Sequence, residues 1–135
     1  MPKPPVPAEI DAFLAKPNPC VIATLRPDGS PVTVATWYDW EGGRVLVNMD
    51  ESRSRLEHLH RDPRVAITIL DAASWYSHVL IRGRVVKIRP DPDLTDIDCL
   101  SQRYQGRPHG NRGRRSVTAL IAPEHWFAWG VSPGG

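Results

Sequence analysis

Short runs of alternating apolar and polar residues cover most of this chain, and turn-forming residues separate them. Such runs predict half-buried β-strands. Residues 20–26 and 32–40 are predicted to pair as a hairpin, because the Pro-Asp-Gly-Ser sequence at 27–30 is a strong turn signal. Gly83 lies within a long run and indicates a bulge or bend. Further strands are predicted at 44–49, 64–70 and 78–88, with one or two more in 116–130.

Apolar residues at helical spacing occur at three places, residues 8–16, 52–61 and 91–104. A doubly wound parallel sheet has a helix between successive strands, so this pattern does not fit it. The pattern favours a mainly β fold, an antiparallel barrel with small helices. The chain has 135 residues, a length that fits one domain. Residues 1–135 are therefore predicted to form a single barrel domain, with the proline-rich residues 1–7 as an extended arm.

Composition and charge narrow the class of protein. The net charge of +2 is too small to indicate nucleic-acid binding by itself. The N-terminal residues lack the apolar segment of a signal peptide, and no apolar run is long enough to span a membrane. Cys20 and Cys99 do not have the spacing of metal ligands, and nothing marks a secreted chain. We therefore expect a cytoplasmic protein without a membrane span.

Residues 44–70 contain the clearest candidate for a binding site. A β-branched run ends at Asn48, and the helix predicted after it carries Arg53 and Arg55 in its first turn. The start of a helix offers free backbone N–H groups and the positive end of the helix dipole. Two guanidinium groups at that position can converge on one anion. The segment indicates a phosphate site, and the alternative is a pair of solvated arginines on an exposed helix.

Arginine is also concentrated in a second segment. All but three of the 17 basic residues are arginines, a composition that favours recognition of oxyanions. Five of them lie close together: Arg103, Arg107, Arg112, Arg114 and Arg115. The loop at 105–115 lacks the ending of a phosphate-binding P-loop. Three interpretations stay open for it: a solvated loop, contact with single-stranded nucleic acid, or capture of an acidic cofactor tail.

The order of elements and several local strings resemble the flavin split-barrel superfamily that includes pyridoxamine 5'-phosphate oxidase. Within it, the chain looks most like the small branch that depends on a deazaflavin, coenzyme F-420. The matching strings are VIATLRPDGSPVTVATWYDW, RVLVNMDESRSRLEHLHRDPRVAITIL, HVLIRGRVVKI and RYQGRP, over roughly residues 18–108, followed by PEHWFAWG near the end. The resemblance implies a six-stranded antiparallel split β-barrel of Greek-key type. It also implies a homodimer with cofactor bound in a groove at the subunit interface.

The resemblance further implies where the cofactor phosphate is held. In this family the strand before the short helix and the first turn of that helix bind it. On this sequence those positions are Asn48, Arg53, Ser54 and Arg55. The family often has lysine where Arg55 stands, and arginine keeps the charge while adding a bidentate fork.

The ring system of the cofactor is expected along the second predicted strand, at Ala35, Thr36 and Trp37. The family places the ring against the backbone there, and a small residue such as Ala35 permits close approach. The alternative is that these are ordinary alternating strand residues. An aromatic-rich set is expected near the same groove, either to flank the ring or to pack in the core or an interface: Trp37, Tyr38, Trp40, Trp75 and Tyr76.

The leading hypothesis is an oxidoreductase in which reduced deazaflavin coenzyme transfers a hydride to an electron-poor bond of a small or medium organic substrate. One alternative is an FMN-dependent oxidoreductase of the same fold, although FMN has no acidic tail for the arginine-rich loop to bind. Another is a non-catalytic protein that holds a flavin, a deazaflavin or heme. We assign no catalytic residue, because the cofactor carries the hydride. No metal ion and no nucleic-acid partner are expected.

Overall fold

The computed structural model describes residues 1–131 and contains one antiparallel sheet of seven strands within them. Residues 132–135 of the predicted domain lie outside the described residues. The strands are β1 (Cys20–Leu25), β2 (Pro31–Thr36), β3 (Asp39–Glu41), β4 (Arg44–Asp50), β5 (Arg64–Leu70), β6 (His78–Pro90) and β7 (Ser116–Trp129). The helices are α1 (Ala8–Leu14), α2 (Ser54–Arg61) and α3 (Thr95–Gln105). The prediction of a mainly β fold with small helices is confirmed.

The strands follow the order β2-β1-β5-β6-β7-β4-β3 across the sheet. Strands β5, β6 and β7 succeed one another, and β4 lies beside β7, which is a Greek-key arrangement. The described sheet has one strand more than the six that the resemblance implies, because the run at 32–40 is divided at Trp37 and Tyr38. Its first part pairs with β1 and its last part pairs with β4.

Buried apolar side chains from one face of the sheet form the main core with α1 and α2. Burial alternates along β1 and β5, as the sequence pattern predicts. The pairing of β6 with β7 shifts register between Arg82 and Gly83, which confirms the predicted irregularity. A Cβ atom on Gly83 would lie 2.2 Å from the carbonyl oxygen of Ala122, so only glycine fits this bulge.

Helix α2 begins later than predicted, and this changes the position of Arg53. The carboxylate of Asp50 accepts hydrogen bonds from the backbone N–H (3.0 Å) and the hydroxyl (2.5 Å) of Ser52. This turn keeps Ser52 out of the helix. Arg53 is therefore the N-cap residue, with extended backbone, and does not lie in the first turn. Arg55 lies in the first turn, as predicted.

The start of α3 and the N-terminal arm each make one further contact. Helix α3 also begins later than predicted, because the carboxylate of Asp91 accepts the N–H groups of Asp96 and Ile97 from outside the helix. The N-terminal arm contacts the C-terminal half of β7, where the N–H of Trp126 donates to the carbonyl of Pro2 (2.9 Å). None of the helices described is long and apolar enough to cross a membrane.

Candidate binding cleft

A cleft of about 930 Å³ lies between β2, the start of α2 and one face of α3. The structure brings together positions from three separate segments of the chain at this cleft. All seven residues expected to bind the cofactor line it: Ala35, Thr36, Trp37, Asn48, Arg53, Ser54 and Arg55. Several other lining residues were not predicted from the sequence as cofactor ligands, among them Cys20, Thr24, His58, Tyr104, His109 and Arg114. The role of these residues in cofactor binding stays a prediction.

Three arginines, Arg53, Arg55 and Arg114, form the cationic end of the cleft. The Nε atom of Arg55 is buried and has no hydrogen-bond partner among the described residues. Burial lowers the pKa of Arg55, and the neighbouring charges of Arg53 and Arg114 lower it further. Like charges gathered in a partly desolvated place are unfavourable unless an anion joins them. This end of the cleft is therefore suited to a phosphate.

The start of α2 adds backbone donors to the same end. No side chain caps this helix within residues 1–131, and Arg53 precedes it in an extended conformation. The N–H groups of its first turn, at Ser54 and Arg55, therefore have neither a helical acceptor nor a capping side chain. They lie beside the arginines at the positive end of the helix dipole, where an anion is stabilised.

Asn48 is buried and its amide is engaged by neighbouring side chains. Its oxygen accepts hydrogen bonds from Nη2 and Nε of Arg114 (3.1 and 3.3 Å). The hydroxyl of Ser116 lies 3.0 Å from the same oxygen, and the amide nitrogen donates to the hydroxyl of Thr118 (3.1 Å). The structure thus shows Asn48 holding Arg114, and direct contact of Asn48 with a phosphate stays a prediction.

Strand β2 forms an open edge of the sheet along the cleft. Its hairpin begins with the N–H of Arg26 donating to the carbonyl of Ser30 (2.9 Å). Since opposite residues of an antiparallel pair alternate between bonded and non-bonded, the N–H and C=O groups of Thr33 and Ala35 point away from β1. Ala35 therefore presents free backbone donors and acceptors at the open edge, where the ring system is expected.

Aromatic side chains form another wall of the cleft. The rings of Trp37 and Tyr104 stack with centroids 5.4 Å apart and planes 6° from parallel. His109 meets Trp37 edge-on, with a centroid distance of 6.2 Å. The Tyr104 hydroxyl donates to the carbonyl of Asn18 (2.7 Å), which fixes this wall to the segment before β1. The string RYQGRP contained Tyr104 but gave no sign that it would stack on Trp37.

The other four aromatic residues expected near the groove do not line this cleft in the described structure. Tyr38 is fully buried in the core. The indole N–H of Trp40 donates to the carboxylate of Asp11 (2.8 Å). Trp75 and Tyr76 stack on each other and are 68% and 67% exposed. Of the expected set, Trp37 alone lines the described cleft.

Most arginines of the second segment have other partners. Bonds of 2.6–2.8 Å join Arg103 to the carbonyls of Ala15 and Lys16, Arg112 to Asp98, and Arg115 to Glu51. These contacts engage three of the five guanidinium groups, so the charges of the segment do not form one free cationic surface. Of the five arginines, all in the described part of the chain, Arg114 alone lines the cleft.

The two cysteines differ in environment, and this gives a testable expectation. Cys20 is 1% exposed, and burial raises the pKa of its thiol to about 12, with Arg55 acting in the opposite direction. Cys99 is exposed, and partial burial and nearby carboxylates raise the pKa of its thiol as well. At mildly alkaline pH we expect a thiol reagent to modify Cys99 in folded protein and Cys20 only after denaturation, because Cys20 is both inaccessible and held as the unreactive thiol. Rapid loss of both thiols in folded protein, measured with Cys99→Ser as control, would contradict this.

No group of three or more His, Cys, Asp or Glu side chains in residues 1–131 could hold a metal ion. The imidazole Nδ1 of His58 lies 3.1 Å from the hydroxyl of Thr24, which accounts for one of its ring nitrogens.

Comparison with known proteins supplies a family and a fold. The family model for pyridoxamine 5'-phosphate oxidase matches residues 6–130. A solved F420 reductase is 28% identical, with 90% of this chain and 98% of that chain covered and a TM-score of 0.81. A conserved hypothetical protein from Mycobacterium tuberculosis is 23% identical, with coverages of 94% and 86% and a TM-score of 0.73. General Stress Protein 26 from Bacillus anthracis is 17% identical, with coverages of 92% and 93% and a TM-score of 0.68. The last two similarities show the fold alone, and together the matches confirm the split-barrel architecture.

Proposed function

Since the chain belongs to the pyridoxamine 5'-phosphate oxidase family, we propose that it is an oxidoreductase that uses the deazaflavin coenzyme F-420. The similarity to an F420 reductase at 28% identity supports a deazaflavin rather than FMN. The coenzyme would bind in the cleft, with its phosphate between Arg53 and Arg55 and its ring along Ala35, Thr36 and Trp37.

The observation that carries the phosphate-binding part of this proposal is the environment of the Arg55 side chain. Its buried Nε lacks a partner in the described residues, and two like charges lie nearby. An anion would supply the missing acceptor and offset the repulsion, and each charge-assisted hydrogen bond contributes about 1.5–3 kcal/mol. The residues present therefore fit a phosphorylated coenzyme.

The residues around the cleft have distinct parts in the proposed reaction. Reduced deazaflavin, when bound, supplies a hydride to an electron-poor bond of a small or medium organic substrate. Arg53 and Arg55 bind the phosphate, and the free backbone groups of Ala35 orient the ring. The stacked Trp37 and Tyr104 wall excludes water from one side, because its rings offer mainly apolar surface.

Two measurements separate this function from its alternatives. The visible spectrum of purified protein is expected to lack the bands of bound FMN or heme, and their presence would favour those cofactors. Reduced coenzyme F-420 is then mixed with protein and a panel of activated alkenes, and its reoxidation is followed by absorbance. We expect turnover that depends on both protein and alkene. Coenzyme binding without turnover on any acceptor would favour a non-catalytic binding protein.

We further propose a homodimer with the coenzyme at the subunit interface. Phe127 and Trp129 alternate on the outer face of β7 and are 43% and 59% exposed, which leaves apolar surface for a partner to cover. Sedimentation at micromolar concentration should therefore give about twice the monomer mass of 15.1 kDa. The double variant Phe127→Glu, Trp129→Glu should shift the protein toward monomer. A wild-type monomer would remove the interface site from the proposal.

A further inference from the structure

We propose that Arg114 is a third ligand of the bound anion and that Asn48 is the positioning residue that aims it into the cleft. This inference rests on the proposed function, because it concerns the same phosphate site. It changes the part assigned to Asn48, which would act through Arg114 and not by contacting the phosphate itself.

The geometry leaves Arg114 with donors for a ligand. Asn48 takes up Nε and one hydrogen of Nη2, along one edge of the guanidinium. A guanidinium carries five N–H donors, so Nη1 and the second hydrogen of Nη2 remain. No other hydrogen bond joins the Arg114 side chain to residues 1–131. Arg114 therefore enters the cleft beside Arg53 and Arg55 with unused donors.

The hydrogen-bond partner of Arg114 matters as much as the position of Arg114 in the cleft. Arg112 and Arg115, in the same segment, are paired with the carboxylates of Asp98 and Glu51. Arg114 is instead held by a neutral amide, which orients the guanidinium without neutralising its charge. A carboxylate at position 48 would form an ion pair with Arg114 and repel an incoming anion. An asparagine at position 48 therefore suits an arginine whose charge must stay available to a bound anion.

The orientation of the Asn48 amide is itself fixed by its contacts with the hydroxyl groups of Ser116 and Thr118. The hydroxyl of Ser116 lies 3.0 Å from the amide oxygen and 2.8 Å from the carboxylate of Asp91. The hydroxyl of Thr118 accepts from the amide nitrogen and donates to Asp96 (2.7 Å). Rotation of the amide by a half turn would point its oxygen at the Thr118 hydroxyl, whose only hydrogen is donated to Asp96, and its NH2 group at the donors of Arg114, so the oxygen stays toward Arg114.

Two acids act on the charge of Arg114, and both are already engaged by other donors. Burial lowers the pKa of Arg114 and the charge of Arg53 lowers it further, while Asp50 and Asp91 act in the opposite direction. The carboxylate of Asp91 accepts from the N–H groups of Asp96 and Ile97. The carboxylate of Asp50 accepts from Ser52 and from the backbone N–H of Arg115 (2.9 Å), and it forms no hydrogen bond with Arg114 within the described chain. The charge of Arg114 is therefore only partly offset by the protein.

Calorimetric titration with inorganic phosphate, and separately with coenzyme F-420, tests the inference without requiring activity. Arg114→Ala is expected to weaken both affinities about tenfold or more, as loss of a charge-assisted contact implies. Arg112→Ala is the matched control, because it removes the same charge from the same loop but from a guanidinium paired with Asp98. It should change either affinity less than about twofold, since it lacks a place in the cleft.

A double-mutant cycle tests the positioning role of Asn48. Asn48→Ala should weaken phosphate binding severalfold in the wild-type background and have no further effect in the Arg114→Ala background. An equal effect in both backgrounds would overturn the claim that Asn48 acts through Arg114. If Asn48→Ala does not fold, Asn48→Asp replaces it, and this variant should weaken phosphate binding as strongly as Arg114→Ala. Unchanged affinity in Asn48→Asp would overturn the claim equally.

Arg55→Ala separates failure of this inference from failure of the proposed function. If Arg55→Ala weakens phosphate binding and Arg114→Ala does not, Arg114 is no ligand and the phosphate site stands. If neither variant changes the affinity, the inference and the phosphate site both fail.

Discussion

Replacement of Arg55 by alanine is expected to weaken binding of coenzyme F-420 by about 1.5–3 kcal/mol, or roughly 10- to 150-fold. The side chain lies in the first turn of α2 at the cationic end of the cleft, with a buried Nε that has no partner in residues 1–131. The variant removes that donor from the phosphate. Isothermal titration calorimetry on wild type and variant measures the difference directly.

Stability and a matched variant distinguish a binding role from a structural one. Burial and the charges of Arg53 and Arg114 disfavour the charged form of Arg55, so Arg55→Ala should leave the melting temperature of coenzyme-free protein unchanged or raise it. Arg61→Ala, at an exposed position of the same helix, should change neither affinity nor stability appreciably. Loss of coenzyme affinity together with an equal loss of stability would instead mean that Arg55 supports the fold.

Tyr38→Ala is expected to lower the free energy of unfolding by about 3–5 kcal/mol, as other large-to-small aromatic substitutions in cores do. The side chain is fully buried between the sheet and α1. Its hydroxyl lies 2.8 Å from the carbonyl oxygens of both Leu14 and Lys16, which ties the end of α1 to the segment between β2 and β3. Thermal unfolding should show a melting temperature lower by roughly 10–20 °C for a domain of this size.

Trp75→Ala provides the comparison for Tyr38→Ala. It removes a larger aromatic side chain, but from a position that is 68% exposed, so the free energy of unfolding should change by only about 0.5 kcal/mol. Similar melting temperatures for the two variants would contradict the assignment of Tyr38 to the core.

The strands were predictable to the extent that one face of each is buried. Burial alternates along Arg64–Leu70, and the predicted strand has the same bounds. The run at 32–40 was predicted as one strand because its apolar residues give no sign of an end. The chain leaves the sheet at Tyr38 because that side chain binds the end of α1, 24 residues earlier in the sequence. Local periodicity cannot reveal such a contact.

The same limit applies to the candidate site. Arg53 and Arg55 were predicted from the start of a helix and Ala35 from the resemblance, and the structure places all three at one cleft. Arg112, Arg114 and Arg115 were indistinguishable in the sequence, since they share one short basic segment. They differ in their partners. Arg112 contacts Asp98, Arg114 contacts Asn48 and Arg115 contacts Glu51, and these partners lie 14, 66 and 64 residues away in the chain. Only the fold brings these residues together.

A structure of the protein with coenzyme F-420 bound would show the position of the phosphate and the ring. We expect the phosphate within hydrogen-bond distance of the guanidinium groups of Arg53 and Arg55, with the ring along the open edge at Ala35. A phosphate located away from the start of α2, or a coenzyme bound outside this cleft, would contradict this expectation.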